Sequence, residues 1–229
     1  MPDPGPVLAD LARHIDISCV QAQHARADID ELVRQAVAGG FVSAHVLPEW
    51  LGYLRERLEG TGVLAGSPVS FPSGGATTAT KVAEASELLD LGAQELDVVV
   101  AIGRLRSGDD AYVTNELAAI VEVVDGRVPL RAILEVGRLD DDDIRRGVDA
   151  AIEAGVPWIK TGTGWSGVAT TIEHIRLIAD RADGRAALKA AGGIRDLDTV
   201  RTMAELGVTR FGMNATAALA AVAATKDQR

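Results

Sequence analysis

The chain has one cysteine, Cys19, so it can form no intramolecular disulfide, and a Cys-based zinc site is excluded. A reducing cytosol suits that usage. Aromatic residues are scarce, at 3%, whereas apolar residues reach 47%. A core must then be built mainly from Ala, Val, Leu and Ile, which suits α/β layers. Positive charge is also short. The net charge is −10, which makes the chain a poor general binder of nucleic acid or anionic membrane. An anionic substrate would have to be held by backbone N–H groups and a few local cations. No apolar run is long enough to span a bilayer. The opening "MPDPGPVLADLARHIDIS" has no basic n-region and no long apolar stretch, so no secretory leader is expected and a cytoplasmic location is.

Short β-rich apolar runs alternate with longer segments of helical periodicity. The pattern predicts eight strands, over 14–18, 41–46, 63–71, 95–101, 130–135, 157–160, 186–189 and 208–212. A helix is predicted after each, near 28–39, 49–58, 77–91, 109–125, 140–154, 170–182, 196–206 and 214–224. Asp28, Thr77, Asp140, Thr170 and Asp196 stand where N-caps are expected. Alternation of this kind implies parallel strands with right-handed crossovers. Eight units point to a closed (β/α)8 barrel forming one domain over residues 1–229. The rival, an open doubly wound sheet, would favour a glycine fingerprint after the first strand, and "HIDISCVQAQ" contains no glycine.

Active sites of such barrels lie at the C-terminal ends of the strands. The predicted rim carries Asp16, Ser18, His45, Asp97, Glu135, Lys160, Lys189 and Asn214. Lysine is the informative residue. Only Lys81, Lys160, Lys189 and Lys226 occur, and arginine is expected to cover most of the surface. Yet Lys160 and Lys189 end predicted buried strands. A buried ammonium is costly, and its pKa tends to fall. A neutral lysine amine forms Schiff bases, which arginine cannot do. The structural alternative is that each lysine merely pairs with a carboxylate. Two on neighbouring strands weigh against that, because adjacent cations disfavour each other's charge.

"TGTGWSG" and "AAGGIR" follow the two lysines. Late-strand loops in barrels often cradle phosphate with backbone N–H groups, and glycine permits the close approach. Thr163, Gly164, Gly192, Gly193, Gly212 and Asn214 are therefore candidate substrate-binding positions, with Asp16, Ser18 and His45. Asp97, an acid inside the apolar run "ELDVVVA", is either a salt-bridge partner, for example of Lys189, or a proton shuttle. Glu135 is read as a rim residue or as half of a salt bridge inside the barrel. His45 is read as structural or as a cavity residue that binds a hydroxyl or anion or acts in acid–base chemistry. His14 and His24 are read as structural or surface residues. The four histidines show no metal-ligand spacing, so neither a metal nor a cofactor is expected.

These segments also resemble the deoxyribose-phosphate aldolases. "IKTGTGW" is similar to the family's KTSTGF, "LKAAGGIR" to KAAGGVR, and "ELDVVVAIGRL" to EIDMVINIG. "VSFPSGGATTATKVAEA" resembles GFPLGATTTEVKVFEA, "RAILEVGRL" resembles ILET-x-x-L, and "HIDIS" corresponds to IDHT. The match runs in order through nearly the whole chain. It implies Lys160 as the Schiff-base nucleophile, Lys189 as its electrostatic partner and Asp97 as proton relay. It further implies a sugar phosphate or aldehyde as small-molecule partner and a homo-oligomer, a dimer. Departures fall around the pocket: Gly162 for Ser, Val136 for Thr, His45 for a frequent Cys, and "GMNA" (Met213, Asn214) for GAS. The tail "TKDQR" carries no terminal Tyr. The expected reaction is reversible cleavage of 2-deoxy-D-ribose 5-phosphate to D-glyceraldehyde 3-phosphate and acetaldehyde. The alternatives are a class I aldolase for a non-phosphorylated or specialised aldol, and a non-catalytic barrel that binds.

Overall fold

A computed structural model describes residues 3–227. Eight parallel strands close into a barrel in sequence order: β1 Ile15–Cys19, β2 Ser43–Val46, β3 Leu64–Val69, β4 Glu95–Val99, β5 Leu130–Ile133, β6 Trp158–Lys160, β7 Ala187–Ala191 and β8 Val208–Met213. β8 pairs with β1, with Asp16 opposite Gly212. The helices are α1 Gly5–Ala9, α2 Arg26–Gly39, α3 Leu51–Arg57, α4 Thr78–Asp90, α5 Ile102–Arg106, α6 Asp110–Val124, α7 Asp141–Glu153, α8 Ile172–Ala182, α9 Leu197–Glu205 and α10 Ala215–Asp227.

All eight predicted strands are present, with shifted ends. β3, β4 and β5 stop short of their predicted limits, whereas β7 and β8 run further than predicted. α1 and α5 were not anticipated; each has only five residues, too few to show a helical period. The predicted helix near 49–58 is a 3-10 turn, Pro48–Trp50, followed by α3. Thr77, Asp140 and Asp196 cap α4, α7 and α9 as expected. α8 is capped by Thr171 rather than Thr170, because Thr170 Oγ1 bonds the Ala191 carbonyl instead. Asp28 sits inside α2 and reaches back to the Ala25 N–H.

Each strand alternates, and the two faces differ in kind. Outward residues such as Ile15, Ile17, Ala44, Leu96, Val98, Ala132, Ile159 and Phe211 are buried under the helices. The helices meet them with apolar stripes at helical spacing, as Ile144, Val148 and Ala151 do in α7. Each fully buried Val, Leu, Ile or Phe contributes roughly 1.5–3 kcal/mol. The apolar core thus lies between barrel and helices. The barrel's interior is polar instead. Register places Asp16 beside Ser43, His45 beside Gly66, Asp97 beside Arg131, Lys160 beside Lys189, and Lys189 beside Arg210. Between β7 and β8 the register skips Thr209, and this irregularity is what aligns Arg210 with Lys189.

Candidate active site

The inward side chains form one ionic network at the C-terminal mouth. Asp97 Oδ2 accepts from Lys160 Nζ at 2.8 Å and from Lys189 Nζ at 2.9 Å. Lys189 also pairs with Asp16 Oδ1 at 3.0 Å. Beneath them, Arg131 bridges Asp97 Oδ1 at 3.2 Å and Glu95 Oε1 at 2.8 Å. Arg210 donates to both Glu95 oxygens, at 3.0 and 2.9 Å, and to Ser43 Oγ. The lysines are therefore both paired, as the structural reading required, but through one shared oxygen next to a cavity.

The surplus of cations sets the protonation states. Burial alone would raise the Asp97 carboxyl; Lys160, Lys189 and Arg131 override it and hold Asp97 well below the usual carboxylate range. Glu95 is likewise held low, against burial, by the His45 hydrogen bond and by Arg131 and Arg210. Asp16 is lowered against burial chiefly by Lys189. Lys189 moves the other way. Burial, abetted by Lys160 and Arg131, pushes its ammonium down to about 8 despite Asp16 and Asp97.

A cavity of about 370 Å³ opens above the network. Its lining includes Lys160 and Asp97, and also Asp16, Ser18, His45, Thr163, Gly164, Gly192, Gly193, Gly212 and Asn214. Of the predicted rim residues, Lys189 and Glu135 are absent from the wall. The Lys189 side chain is 0% exposed where that of Lys160 is 12%, so the cavity meets Lys160 and not Lys189. The post-β6 and post-β7 loops touch one another. A Cβ built on Gly192 would lie 3.8 Å from Gly164 Cα, and Gly164, Gly192 and Gly193 all have positive φ.

Some residues do not behave as expected. Glu135 joins no ion pair among the described residues. In left-handed backbone, it accepts from the Thr163 N–H at 3.1 Å and from the Thr163 hydroxyl, pinning the post-β6 loop. Gly162 leaves room for it, since a Cβ there would meet Glu135 Oε1 at 3.0 Å. Asn214 spends its side chain on α10, accepting from the Ala217 N–H at 2.9 Å. His24, read as structural or surface, lines the cavity with Gln21, Phe71 and Arg195, none of which had been singled out. Their loops lack periodicity, so only the fold reveals their convergence. Arg131 and Arg210, read among surface arginines, are buried in the barrel. The signal for them was their place in alternating strands, "LRAI" and "VTRFG". Trp165 Nε1 donates to the Val20 carbonyl at 3.2 Å, and its ring meets Phe71 edge-on, tying three loops together at the mouth.

Fold and site define a (β/α)8-barrel enzyme built around a strand-end lysine. More narrowly, the chain belongs to the DeoC/LacD family of aldolases, whose family model matches residues 13–216. It is 52% identical over 206 residues to a deoxyribose-phosphate aldolase of Sinorhizobium medicae, covering 90% of this chain and 83% of that one. A deoxyribose-phosphate aldolase of Klebsiella pneumoniae is 46% identical, with 89% and 83% covered. Among solved structures, the tetrameric deoxyribose phosphate aldolase of Aeropyrum pernix superposes with a TM-score of 0.86 at 28% identity, covering 97% of this chain and 93% of that one.

Proposed function

We propose that the protein reversibly cleaves 2-deoxy-D-ribose 5-phosphate to D-glyceraldehyde 3-phosphate and acetaldehyde through a Schiff base on Lys160. The observation that carries this is the shared oxygen: Asp97 Oδ2 holds two lysines, of which only Lys160 meets the cavity. The relatives named for this activity support the substrate.

Held by the ionised Asp97, the Lys160 ammonium gives its proton to water in the cavity, and the neutral amine adds to the aldehyde carbon. The carbinolamine hydroxyl leaves as water, using a proton that Lys189 can return by way of Asp97. The resulting iminium is the electron sink that receives the electrons of the C2–C3 bond, leaving an enamine, as the C3 hydroxyl gives its proton to a base at the cavity wall and departs as the carbonyl of D-glyceraldehyde 3-phosphate. Protonation of the enamine at C2, then hydrolysis, releases acetaldehyde and restores Lys160. Glycine-rich backbone at 164, 192–193 and 212–214, with Arg195 beside it, suits the distal phosphate. His45 and Ser18 line the same cavity and offer polar atoms to substrate hydroxyls.

Borohydride reduction in the presence of substrate should add the substrate fragment's mass to Lys160. No adduct, or full activity in Lys160→Ala, would remove this mechanism. Phosphorylated and unphosphorylated deoxyribose assayed side by side test the phosphate site; equal kcat/KM would remove that part. Among the described residues no helix is long and apolar enough to cross a membrane. A cytoplasmic location and a homo-oligomer, a dimer at least, complete the proposal. Light scattering of the purified protein would check the second, and fractionation of the source cells the first.

A further inference from the structure

His45 occupies a seat shaped for an imidazole. It stands on β2 directly opposite Gly66 of β3. A Cβ at Gly66 would come within 2.4 Å of His45 Cε1 and 2.6 Å of both ring nitrogens, so the ring lies on bare glycine backbone. One edge of the ring is anchored. Nε2 is 3.1 Å from Glu95 Oε2, and that same oxygen accepts from Ser43 Oγ at 2.8 Å and from Arg210 at 2.9 Å. Glu95 is an ionised carboxylate and can only accept, so Nε2 carries the hydrogen. In the neutral ring that fixes the tautomer and puts the lone pair on Nδ1. Nδ1 makes no hydrogen bond to any described residue, and the side chain is part of the cavity wall. Asp97 Oδ2, the oxygen that holds Lys160, lies 3.9 Å from Nδ1.

A carboxylate that orients an imidazole and stabilises its protonated form, with the opposite nitrogen facing substrate, is the arrangement of a general base. Lys160 Nζ at 2.8 Å and His45 Nδ1 at 3.9 Å flank the same Asp97 oxygen, and both side chains line one cavity, which puts the imidazole within a few bonds' reach of anything bonded to Lys160. We propose that His45 is a further catalytic residue, the base that removes the proton of the substrate's C3 hydroxyl as the C2–C3 bond breaks. The O–H bond breaks and its proton goes to Nδ1. Its electron pair becomes the new carbonyl bond of the leaving aldehyde. The C2–C3 pair moves to C1–C2 as the iminium collapses to the enamine. In condensation, the imidazolium returns the proton to the new alkoxide. The assignment rests on Lys160 as the imine-forming lysine and divides the labour: Asp97 and Lys189 serve the imine, His45 the carbon–carbon bond.

His45→Gln tests this, because glutamine keeps an N–H toward Glu95 and removes the basic nitrogen. Three readings on the same protein are needed. Acetaldehyde alone in deuterium oxide reports exchange at C2, which needs the imine and enamine but no C3 hydroxyl. Borohydride trapping with acetaldehyde reports the Lys160 adduct. Cleavage of 2-deoxyribose 5-phosphate reports the whole reaction. The expected result is exchange and trapping at wild-type levels with cleavage down roughly 10²- to 10⁴-fold, the usual weight of a general base. Gly66→Ala, which keeps His45 but dislodges its ring, should show the same split. Undiminished cleavage in His45→Gln overturns the proposal. So does a loss of exchange and trapping as deep as the loss of cleavage, since His45 would then serve the imine or the fold. Failure of the wild-type protein to trap acetaldehyde would instead overturn the Schiff-base reading, and this proposal with it.

Discussion

Lys81 and Lys189 are both fully buried lysines, and they sit in opposite kinds of environment. Lys81, on α4, belongs to the helix layer. It pairs one-to-one with Glu116 of α6 at 2.8 Å and donates to the Val99 carbonyl, while Glu116 takes the Ala101 N–H. There burial pushes the lysine down and the glutamate up, each toward its neutral form. Lys189 belongs to the barrel interior, where Asp16, Glu95 and Asp97 face Lys160, Lys189, Arg131 and Arg210. There the carboxylates are held ionised and a lysine gives way instead. A matched pair closes on itself and braces the end of β4. A cation surplus beside a cavity leaves the Lys189 amine, one carboxylate away from Lys160, within reach of losing its proton.

The largest effect that would break this contrast is at Lys160. Lys160→Met should lower cleavage by about 10⁴- to 10⁶-fold, the range for removing a covalent nucleophile, with little change in thermal stability. Lys81→Met should do the converse. Breaking a buried pair costs about 3–5 kcal/mol, read by urea unfolding, while kcat per folded molecule stays near wild type. A catalytic collapse in folded Lys81→Met would erase the distinction. Next comes pH. Lys189 keeps its proton below about 8 and gives it up above. Only the charged form can return a proton to the departing carbinolamine hydroxyl. The single-turnover rate of imine formation should therefore fall as pH rises through about 8, and Lys189→Met should flatten that limb. The smallest effect concerns Asn214, whose side chain caps α10. Asn214→Ala should cost about 1 kcal/mol of stability, the usual price of an N-cap, with KM nearly unchanged. A large KM increase would show instead that its side chain grips substrate.

Much of this was legible beforehand because barrels repeat. Alternating periods exposed eight βα units, and scarcity singled out Lys160 and Lys189. Asp97 was visible as an acid in an apolar strand. Glu135 was visible as a rim or salt-bridge acid, but not its contact, since its left-handed backbone turns the carboxylate onto Thr163, which no spacing shows. Arg131 and Arg210 were hidden by the abundance of arginine. His24, Gln21, Phe71 and Arg195 come from loops far apart in the chain, and nothing local marks them as neighbours.

The sequence by itself determined the repeated unit, the closed-barrel class and the lysines at the strand ends. Local periodicity and residue chemistry encode these directly. Only the tertiary structure decided which lysine lines the cavity, which oxygen joins the pair, and that His45 lines that cavity with no partner on Nδ1 among the described residues. Those outcomes depend on register and on distances between strands far apart in the chain, and closure of the barrel sets both.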